Sequence, residues 1–196
     1  MYKVTFVLLL ILLSNTIKPQ KVELGFRFET LGMHRSYKET LNGVSKNTGS
    51  DFFMAPFFTT FQTNIALYPS EKVSIEARFD REFLWDNFIG FDYGIFSKYF
   101  FREYAYVTGG LALHVNDGGH GGISSGSFRA RIYMPSAGIG AKISRVTGFE
   151  LLFQYAGSKG IGSSWYNYGY HSGDIASNIT AADWLIKLNL VFGWKL

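Results

Sequence analysis

The sequence contains no cysteine, and charged residues make up only 17% of its 196 positions. The absence of cysteine excludes disulfide bonds, thiolate metal sites and a lipid anchor on a cysteine side chain. Ordinary soluble domains carry about 25% charged residues, so the low fraction points to a large apolar surface. Aromatic residues reach 18% and there are 22 glycines, a mixture that favours twisted strands and glycine-rich loops.

Long hydrophobic runs are also missing, with one short exception near the start. Residues 4–13 form an apolar run after Lys3, and Ser14, Asn15 and Thr16 follow it. A helix that spans a membrane needs about 20 such residues, so this run is too short to cross as a helix. We interpret residues 1–20 as a cleaved signal peptide, with a retained N-terminal anchor helix as the alternative.

Charge and histidine usage exclude several kinds of partner. Removing residues 1–20 takes away Lys3 and Lys18 and lowers the formal net charge from +4 to +2, so we expect no nucleic-acid partner. The four histidines show none of the spacings that are typical of metal sites. We therefore expect no metal and no cofactor.

Hydrophobic residues occupy every second position from Trp184 to Leu196 at the end of the chain. The positions between them include Lys187, Asn189 and Lys195. A period of two places the two sets on opposite faces of a β-strand. The segment is longer than most globular strands and suits a tilted strand that crosses a bilayer, which needs about 9–11 residues. It therefore predicts a transmembrane β-strand.

The same alternation recurs along the chain and predicts eight strands, an even number as in single-chain outer-membrane barrels of bacteria. The predicted strands cover residues 21–34, 52–68, 72–84, 88–99, 103–116, 127–143, 148–157 and 180–196. The sixth strand is less regular than the others. Arg129 and Arg131 are assigned to the polar face before Met134 and Pro135, and the apolar residues after this point are assigned to the outer face. We therefore expect a bulge near Met134 and Pro135.

Connections between these strands alternate in length. Long loops are expected at residues 35–51, 117–126 and 158–178, and short turns at 69–71, 100–102 and 144–147. Long outer loops and short periplasmic turns are typical of outer-membrane barrels, and only the second outer connection, at residues 85–87, is short. We predict an all-β fold, an eight-stranded antiparallel up-and-down transmembrane β-barrel, over residues 21–196. A soluble barrel with an apolar interior is the alternative.

The polar face of the strands should line the inside of the barrel, where side chains of both charges can pair and fill an eight-stranded bore. The predicted charge network comprises Glu23, Arg27, Glu29, Glu76, Arg78, Asp80, Asp92, Arg129, Arg131, Glu150 and Lys187. Aromatic girdles are expected at the two rims. They comprise Tyr68, Tyr99, Tyr104 and Trp194 at one rim and Phe83, Trp85 and Trp184 at the other.

Catalytic signals are weak, and we predict no catalytic residue. His171 and Ser172 are adjacent, but neighbouring strand residues point to opposite faces. Lipid A deacylases of the outer membrane are similar in size and form, but their His-x-Ser pattern on a late strand is absent. His34, Ser36 and Asp86 could lie at the outer rim, where palmitoyl-transferring barrel enzymes use these residue types, but they form no motif.

The last long loop carries residue types that are favoured in recognition loops, where aromatic rings give contact area at a low entropic cost. The candidate surface-binding residues are Trp165, Tyr166, Tyr168, Tyr170 and His171. The alternative is that these aromatic residues extend the last hairpin and lie on the outer leaflet.

The signal, the eight alternating strands, the loop asymmetry and the hydrophobic last strand together resemble the small OmpA/OmpX-like outer-membrane β-barrels. The resemblance implies the outer membrane of a Gram-negative bacterium, contact with its lipid and lipopolysaccharide, and recognition of the C-terminal strand by the assembly machinery, although Leu196 stands where Phe is common. It implies a non-enzymatic role in envelope integrity, adhesion or surface recognition through the loops. A lipid A acyl-modifying enzyme and a narrow channel or carrier for small apolar solutes are the alternatives.

Overall fold

A computed structural model describes residues 21–41, 44–55, 60–83, 89–116, 125–127, 130–167 and 175–196, and these form ten β-strands. The strands are β1 (Lys21–Leu41), β2 (Val44–Met54), β3 (Thr60–Ser70), β4 (Val73–Phe83), β5 (Ile89–Phe100), β6 (Ala105–Asn116), β7 (Ser125–Ser127), β8 (Arg131–Lys142), β9 (Thr147–Asn167) and β10 (Ile175–Lys195). The described residues include no helix that is long and apolar enough to cross a membrane.

Eight of these strands close into a barrel in the order β10-β1-β3-β4-β5-β6-β8-β9, and β9 pairs with β10 to complete the ring. Each of these pairings is antiparallel. The remaining strands extend the wall: β2 pairs with β1, and β7 pairs with β9. The predicted all-β, eight-stranded barrel is therefore confirmed.

The barrel is apolar on the outside and polar in much of its interior. On β3 the residues alternate without a break, with Asn64 buried and Phe61, Ile65 and Leu67 on the outside. On β10 the outward side chains run from Trp184 to Trp194, which at the usual tilt matches an apolar band about 25 Å tall. We call this outer band the apolar belt. A soluble barrel would have the opposite distribution, so the transmembrane interpretation holds.

The two ends of the barrel differ. Short connections follow β3, β5 and β8 at the end that also contains Lys21 and Lys195, and we call this the short-turn end. At the opposite end, the hairpin end, β1, β9 and β10 each run for 21 residues and continue beyond the apolar belt. In outer-membrane barrels the short turns face the periplasm.

Two segments that were predicted as long loops are largely strand. β1 continues to Leu41 and pairs with β2, so part of residues 35–51 is a β-ribbon, and the predicted strand at 52–68 is divided between β2 and β3. Within the predicted loop at 158–178, β9 continues to Asn167 and β10 starts at Ile175. The prediction failed here because a ribbon that leaves the bilayer no longer needs apolar residues at every second position.

Arg131 lies on the outside of the barrel, which corrects its assignment to the lumen. β6 and β8 pair without a register shift from Ala105 and Ala141 to Val115 and Arg131, so the expected bulge at Pro135 is absent there. Every odd-numbered residue from 131 to 143 therefore shares one face, and Arg131 is its polar member at the hairpin end, where water can solvate it. Arg129 lies outside the described residues.

The prediction for one of the girdle residues is also wrong. Tyr68 is only 4% exposed and packs inside the barrel, whereas Tyr99, Tyr104 and Trp194 are exposed at the short-turn end as expected. Trp184 lies at the hairpin-end rim, and Trp85 lies outside the described residues.

Introducing one charge at two depths tests the apolar belt. Leu188→Arg should lower the free energy of unfolding in lipid by about 2–4 kcal/mol, because Leu188 faces outward near the middle of the belt. Ile143→Arg is the matched control, because Ile143 is also an exposed aliphatic residue but lies at a short turn, where the cost is about 0–1 kcal/mol. Urea titrations in lipid vesicles measure both. Equal costs at the two positions would contradict the assigned belt.

Candidate functional site

A network of ion pairs crosses the middle of the lumen, and Glu76 on β4 is at its centre. The Arg27 guanidinium lies 2.6 Å from Glu76, the Arg78 guanidinium 2.9 Å, and the Lys98 ammonium group 2.5 Å. Arg78 also donates two hydrogen bonds to Glu150 on β9, at 2.8 and 3.1 Å. These five side chains come from β1, β4, β5 and β9, so the network connects opposite walls of the barrel.

A second polar layer lies nearer the hairpin end. The Lys187 ammonium group lies 2.7 Å from the Glu29 carboxylate and 3.0 Å from that of Asp92. Asp92 also bonds Nδ1 of His114, and Nε2 of His114 lies 3.2 Å from the Asn116 side-chain oxygen. All five residues are buried, so each ionised group in this layer has a partner inside the barrel.

The remaining predicted lumenal carboxylates are also hydrogen-bonded. Asp80 accepts a hydrogen bond from Gln62, whose own side-chain oxygen accepts one from Arg27 at 2.9 Å. Glu23 accepts a hydrogen bond from the Tyr68 hydroxyl at 2.8 Å, near the short-turn end.

Of the eleven residues assigned to the lumen from the sequence, the structure places nine inside. These are Glu23, Arg27, Glu29, Glu76, Arg78, Asp80, Asp92, Glu150 and Lys187. The sequence interpretation missed Lys98, which contacts both Glu76 and Glu150. Asp92 on the same strand could have revealed that Lys98 faces the lumen, because residues 92 and 98 must share a face in an unbroken strand.

An aromatic ring packs against the ion network, and glycines make room for it. The Arg78 guanidinium lies 3.8 Å from the centre of the Phe96 ring. A Cβ at Gly94 would lie 2.4 Å from this ring, and one at Gly110 would lie 2.6 Å from it. Both positions therefore require glycine for the ring to keep its place against the Arg78 guanidinium.

The part of the lumen nearest the hairpin end is apolar, which the sequence analysis did not predict. We call this the apolar cap, and its fully buried members include Leu31, Met33, Ile132, Met134, Ile161 and Leu185. Between the cap and the ion network, a cavity that is lined in part by Glu29, Arg78 and Asp92 has a volume of only about 10 Å³. A water molecule needs about 10–15 Å³, so these layers are tightly packed.

The ribbon that β1 and β2 form beyond the belt is fixed by side-chain contacts. The Arg35 guanidinium donates hydrogen bonds of 2.9 and 2.7 Å to the Asp51 carboxylate, and the Tyr37 hydroxyl donates one of 2.8 Å. The hydrogen bond from Arg35 holds the pKa of Asp51 below its usual 3.8. Asp51 therefore stays ionised at neutral pH, and this ribbon presents a paired rather than a free charge.

The candidate binding residues of the last loop are divided between the ribbon and segments that are not described. The backbones of Trp165 and Tyr166 belong to β9 and pair with Ser177 and Ala176 of β10. Tyr168, Tyr170 and His171 lie outside the described residues. The two described positions are thus held on a strand extension.

A polar cluster with an acid, an imidazole and two hydroxyl groups lies at the hairpin-end rim of the belt. His34 Nδ1 lies 2.8 Å from the Asp183 carboxylate, which also accepts hydrogen bonds from the Ser36 and Ser158 hydroxyls at 3.0 and 2.5 Å. The His34 ring stacks on Trp184 with a centroid distance of 5.2 Å. We call this the Asp183 cluster.

Irregular backbone brings the Asp183 cluster together. His34 pairs with Trp184 and Arg35 with Ala182, so Asp183 is the extra residue of a β-bulge. Ser158 follows Gly157, and both have left-handed backbone angles, with φ of 56° and 68°. The sequence interpretation offered Asp86 as the acid beside His34 and Ser36, but Asp86 lies outside the described residues. Asp183 was missed because alternation alone does not reveal a bulge.

No protein-family model matches this chain, and no curated protein matches it. Among solved structures, it is similar to the outer membrane protein OprG from Pseudomonas aeruginosa, with 9% identity over 90% of this chain and 97% of that one and a TM-score of 0.48. It is similar to the N-terminal β-barrel domain of Pseudomonas aeruginosa OprF, with 12% identity, coverage of 90% and 98%, and a TM-score of 0.45. It also matches Ail from Yersinia pestis, with 9% identity, coverage of 88% and 100%, and a TM-score of 0.35.

At these identities the likeness concerns the fold alone, and the eight-stranded architecture itself follows from the strand order. The expected architecture of a small eight-stranded outer-membrane barrel is confirmed by the strand order and by the apolar outer face. The chain has the fold of an integral outer-membrane β-barrel.

Removing one cation tests the lumenal network. Arg78→Met should lower the free energy of unfolding by about 3–5 kcal/mol, because Glu76 and Glu150 then keep buried charge with less compensation. Arg81→Met, at an exposed position on the same strand, is the control and should change it by less than about 1 kcal/mol. Urea unfolding in detergent micelles gives both values, and equal losses would mean that the network does not stabilise the barrel.

Proposed function

We propose that this protein resides in the outer membrane of a Gram-negative bacterium and acts through its hairpin end in envelope integrity, adhesion or surface recognition. The observation that carries this proposal is the filled lumen. The ion network, the second polar layer and the apolar cap follow one another along the bore, which leaves little room for a solute path. The barrel is then a support, and the surface available for function lies at its ends.

The proposed partners follow from the surfaces of the barrel. Outer-membrane lipid and lipopolysaccharide contact the apolar belt, and the assembly machinery binds the C-terminal strand β10. A surface ligand binds the ribbons of β1 with β2 and of β9 with β10, which extend beyond the belt. The wall contributes no catalytic group to this function.

Trimming each ribbon at a paired position tests this proposal. Gly162 and Thr180 are partners in the β9–β10 ladder, so a two-residue Asn-Gly turn can replace residues 163–179. Ser36 and Ser50 are partners in β1–β2, so the same turn can replace residues 37–49. Both variants should fold, because the barrel ladders within the belt are untouched. Binding of whole cells to host cells or polysaccharide should fall in at least one of them.

Conductance measurements provide the second part of the test. The untrimmed protein in planar bilayers should show no ion conductance, because the layered lumen leaves no water-filled path. Stepwise conductance, or a permeability defect in cells whose surface binding is unchanged by both trims, would move the function from the ribbons to the barrel itself.

A second candidate function, acyl-ester hydrolysis at the outer leaflet, is favoured by the Asp183 cluster. In this reaction a serine hydroxyl attacks an ester carbonyl, His34 takes its proton and returns it to the leaving alcohol, and water releases the fatty acid. Asp183 already orients His34 through Nδ1, and Trp184 places the cluster at the lipid interface. Both serine hydroxyls donate to Asp183, so one of them must rotate towards His34 before it can react.

Fatty acid release from vesicles of ester-linked phospholipid and lipopolysaccharide tests this second function. His34→Gln and Asp183→Asn should abolish release, and the more severe of Ser36→Ala and Ser158→Ala identifies the nucleophile. Lys159→Gln, next to Ser158, is the control and should retain the activity. If the unaltered protein releases no fatty acid, the cluster serves only to hold β1, β9 and β10 together.

A further inference from the structure

The lumen opens at the short-turn end into a basic mouth. This cavity has a volume of about 380 Å³, and five cationic and two acidic residues line it. The cationic residues are Lys21, Lys72, Arg102, Lys142 and Lys195. A neighbouring cavity of about 680 Å³ shares Lys21, Lys142 and Lys195 and continues past Arg145 to the outer rim at Trp194. The mouth therefore concentrates positive charge in a concave site.

Two of these lysines converge over an aromatic floor. The ammonium groups of Lys142 and Lys195 lie 5.8 and 4.5 Å from the centre of the Tyr68 ring. The Lys142 ammonium group also lies 4.9 Å from the centre of the Phe100 ring. Tyr68 and Phe100 stack with a centroid distance of 6.3 Å and close the bore below the mouth. Both cations thus lie over one aromatic floor, and the Tyr68 hydroxyl of that floor donates its hydrogen bond to the Glu23 carboxylate.

The lysines of the mouth differ from the cations deeper in the barrel. Arg27, Arg78, Lys98 and Lys187 each contact at least one carboxylate at 3.0 Å or less. Within the described ranges, no carboxylate lies within 4 Å of Lys142 or Lys195. The nearby Glu23 is buried and accepts its hydrogen bond from Tyr68. The five cations of the mouth outnumber the two glutamates of its lining, Glu71 and Glu103, so the mouth keeps a net positive charge that attracts an anion from solution.

We propose that the mouth at the short-turn end binds an oxyanion, a phosphate or carboxylate group, between Lys142 and Lys195. Charge-assisted hydrogen bonds from the two ammonium groups fix the anion, and Lys21, Lys72 and Arg102 supply longer-range attraction. Its chemistry fits a soluble anion, or an anionic side group of a polymer that reaches the mouth from outside the short-turn end. It also fits a phospholipid headgroup that reaches the mouth past Arg145 and Trp194. This site is separate from the ribbons on which the proposed function rests.

Nuclear magnetic resonance of 13C-methylated lysines in nanodiscs tests the site, with inorganic pyrophosphate as the probe. In zwitterionic phosphatidylcholine nanodiscs, the Lys142 and Lys195 signals should shift in a saturable manner. Lys142→Gln and Lys195→Gln should each weaken binding by about tenfold or more, because each removes one charge-assisted hydrogen bond. Lys46→Gln, on the exposed β2 ribbon at the other end, is the control and should bind like the unaltered protein.

A second arm distinguishes the two sources of the anion. Nanodiscs that contain phosphatidylglycerol should shift the same two signals without pyrophosphate if a headgroup reaches the mouth, and should then compete with pyrophosphate. If these lipids leave the signals unchanged while pyrophosphate shifts them, the ligand is a soluble or polymer anion. The absence of a saturable shift with both probes, or unchanged affinity in both lysine variants when their heat-modifiable bands show folded barrels, would overturn the proposal.

Discussion

The lack of hydrogen-bonding solvent in hydrocarbon is the constraint on which this structure depends. Backbone N–H and C=O groups that face lipid must find partners within the sheet, so an open edge cannot persist in the bilayer. The pairing of β1 with β10 removes that edge, from Glu23 with Lys195 to His34 with Trp184. Once the sheet is closed, one face must meet lipid and the other must fill a narrow bore. The apolar belt and the layered lumen are the two consequences.

The lumen is filled by three different kinds of packing. Glu76 and Glu150 hold cations from several strands at the centre, Phe96 shields these ion pairs, and the apolar cap fills the bore nearer the hairpin end. Buried charge is costly unless it is paired, so a shift in strand register that separated these partners would leave charge uncompensated. Tyr68 and Phe100 close the opposite side and leave the basic mouth beyond them.

Much of the fold could be predicted from the sequence, because crossing a bilayer imposes a strict period of two. The number of barrel strands and nine of the eleven lumenal charges follow from that period. Where the chain leaves the bilayer, its strands no longer need to alternate apolar and polar residues, so the ribbon of β1 with β2 was predicted as a loop. Arg131 was misassigned because its charge was taken as a sign of the polar face, although its parity agrees with Tyr133 and Ile139.

The candidate sites were harder to predict than the fold, because they depend on departures from regular alternation. Asp183 reaches His34 only through a bulge, and Ser158 reaches Asp183 where β9 has left-handed backbone angles at Gly157 and Ser158. Lys142 and Lys195 lie on two strands that are distant in sequence, and no sequence motif around either lysine indicates a binding site. These contacts arise from three-dimensional closure rather than from a local pattern.

The three long strands are neighbours in the barrel, in the order β9, β10, β1, and the two strands outside the ring pair with them, β2 with β1 and β7 with β9. The sheet that extends beyond the membrane therefore stands over one side of the ring, and β3, β4, β5 and β6 end close to the belt in the described residues. Among the described residues, the part of the sheet beyond the belt is therefore off-centre with respect to the barrel axis. A large object that approaches along the barrel axis and touches the described ribbons therefore makes contact away from the axis, above β9, β10 and β1.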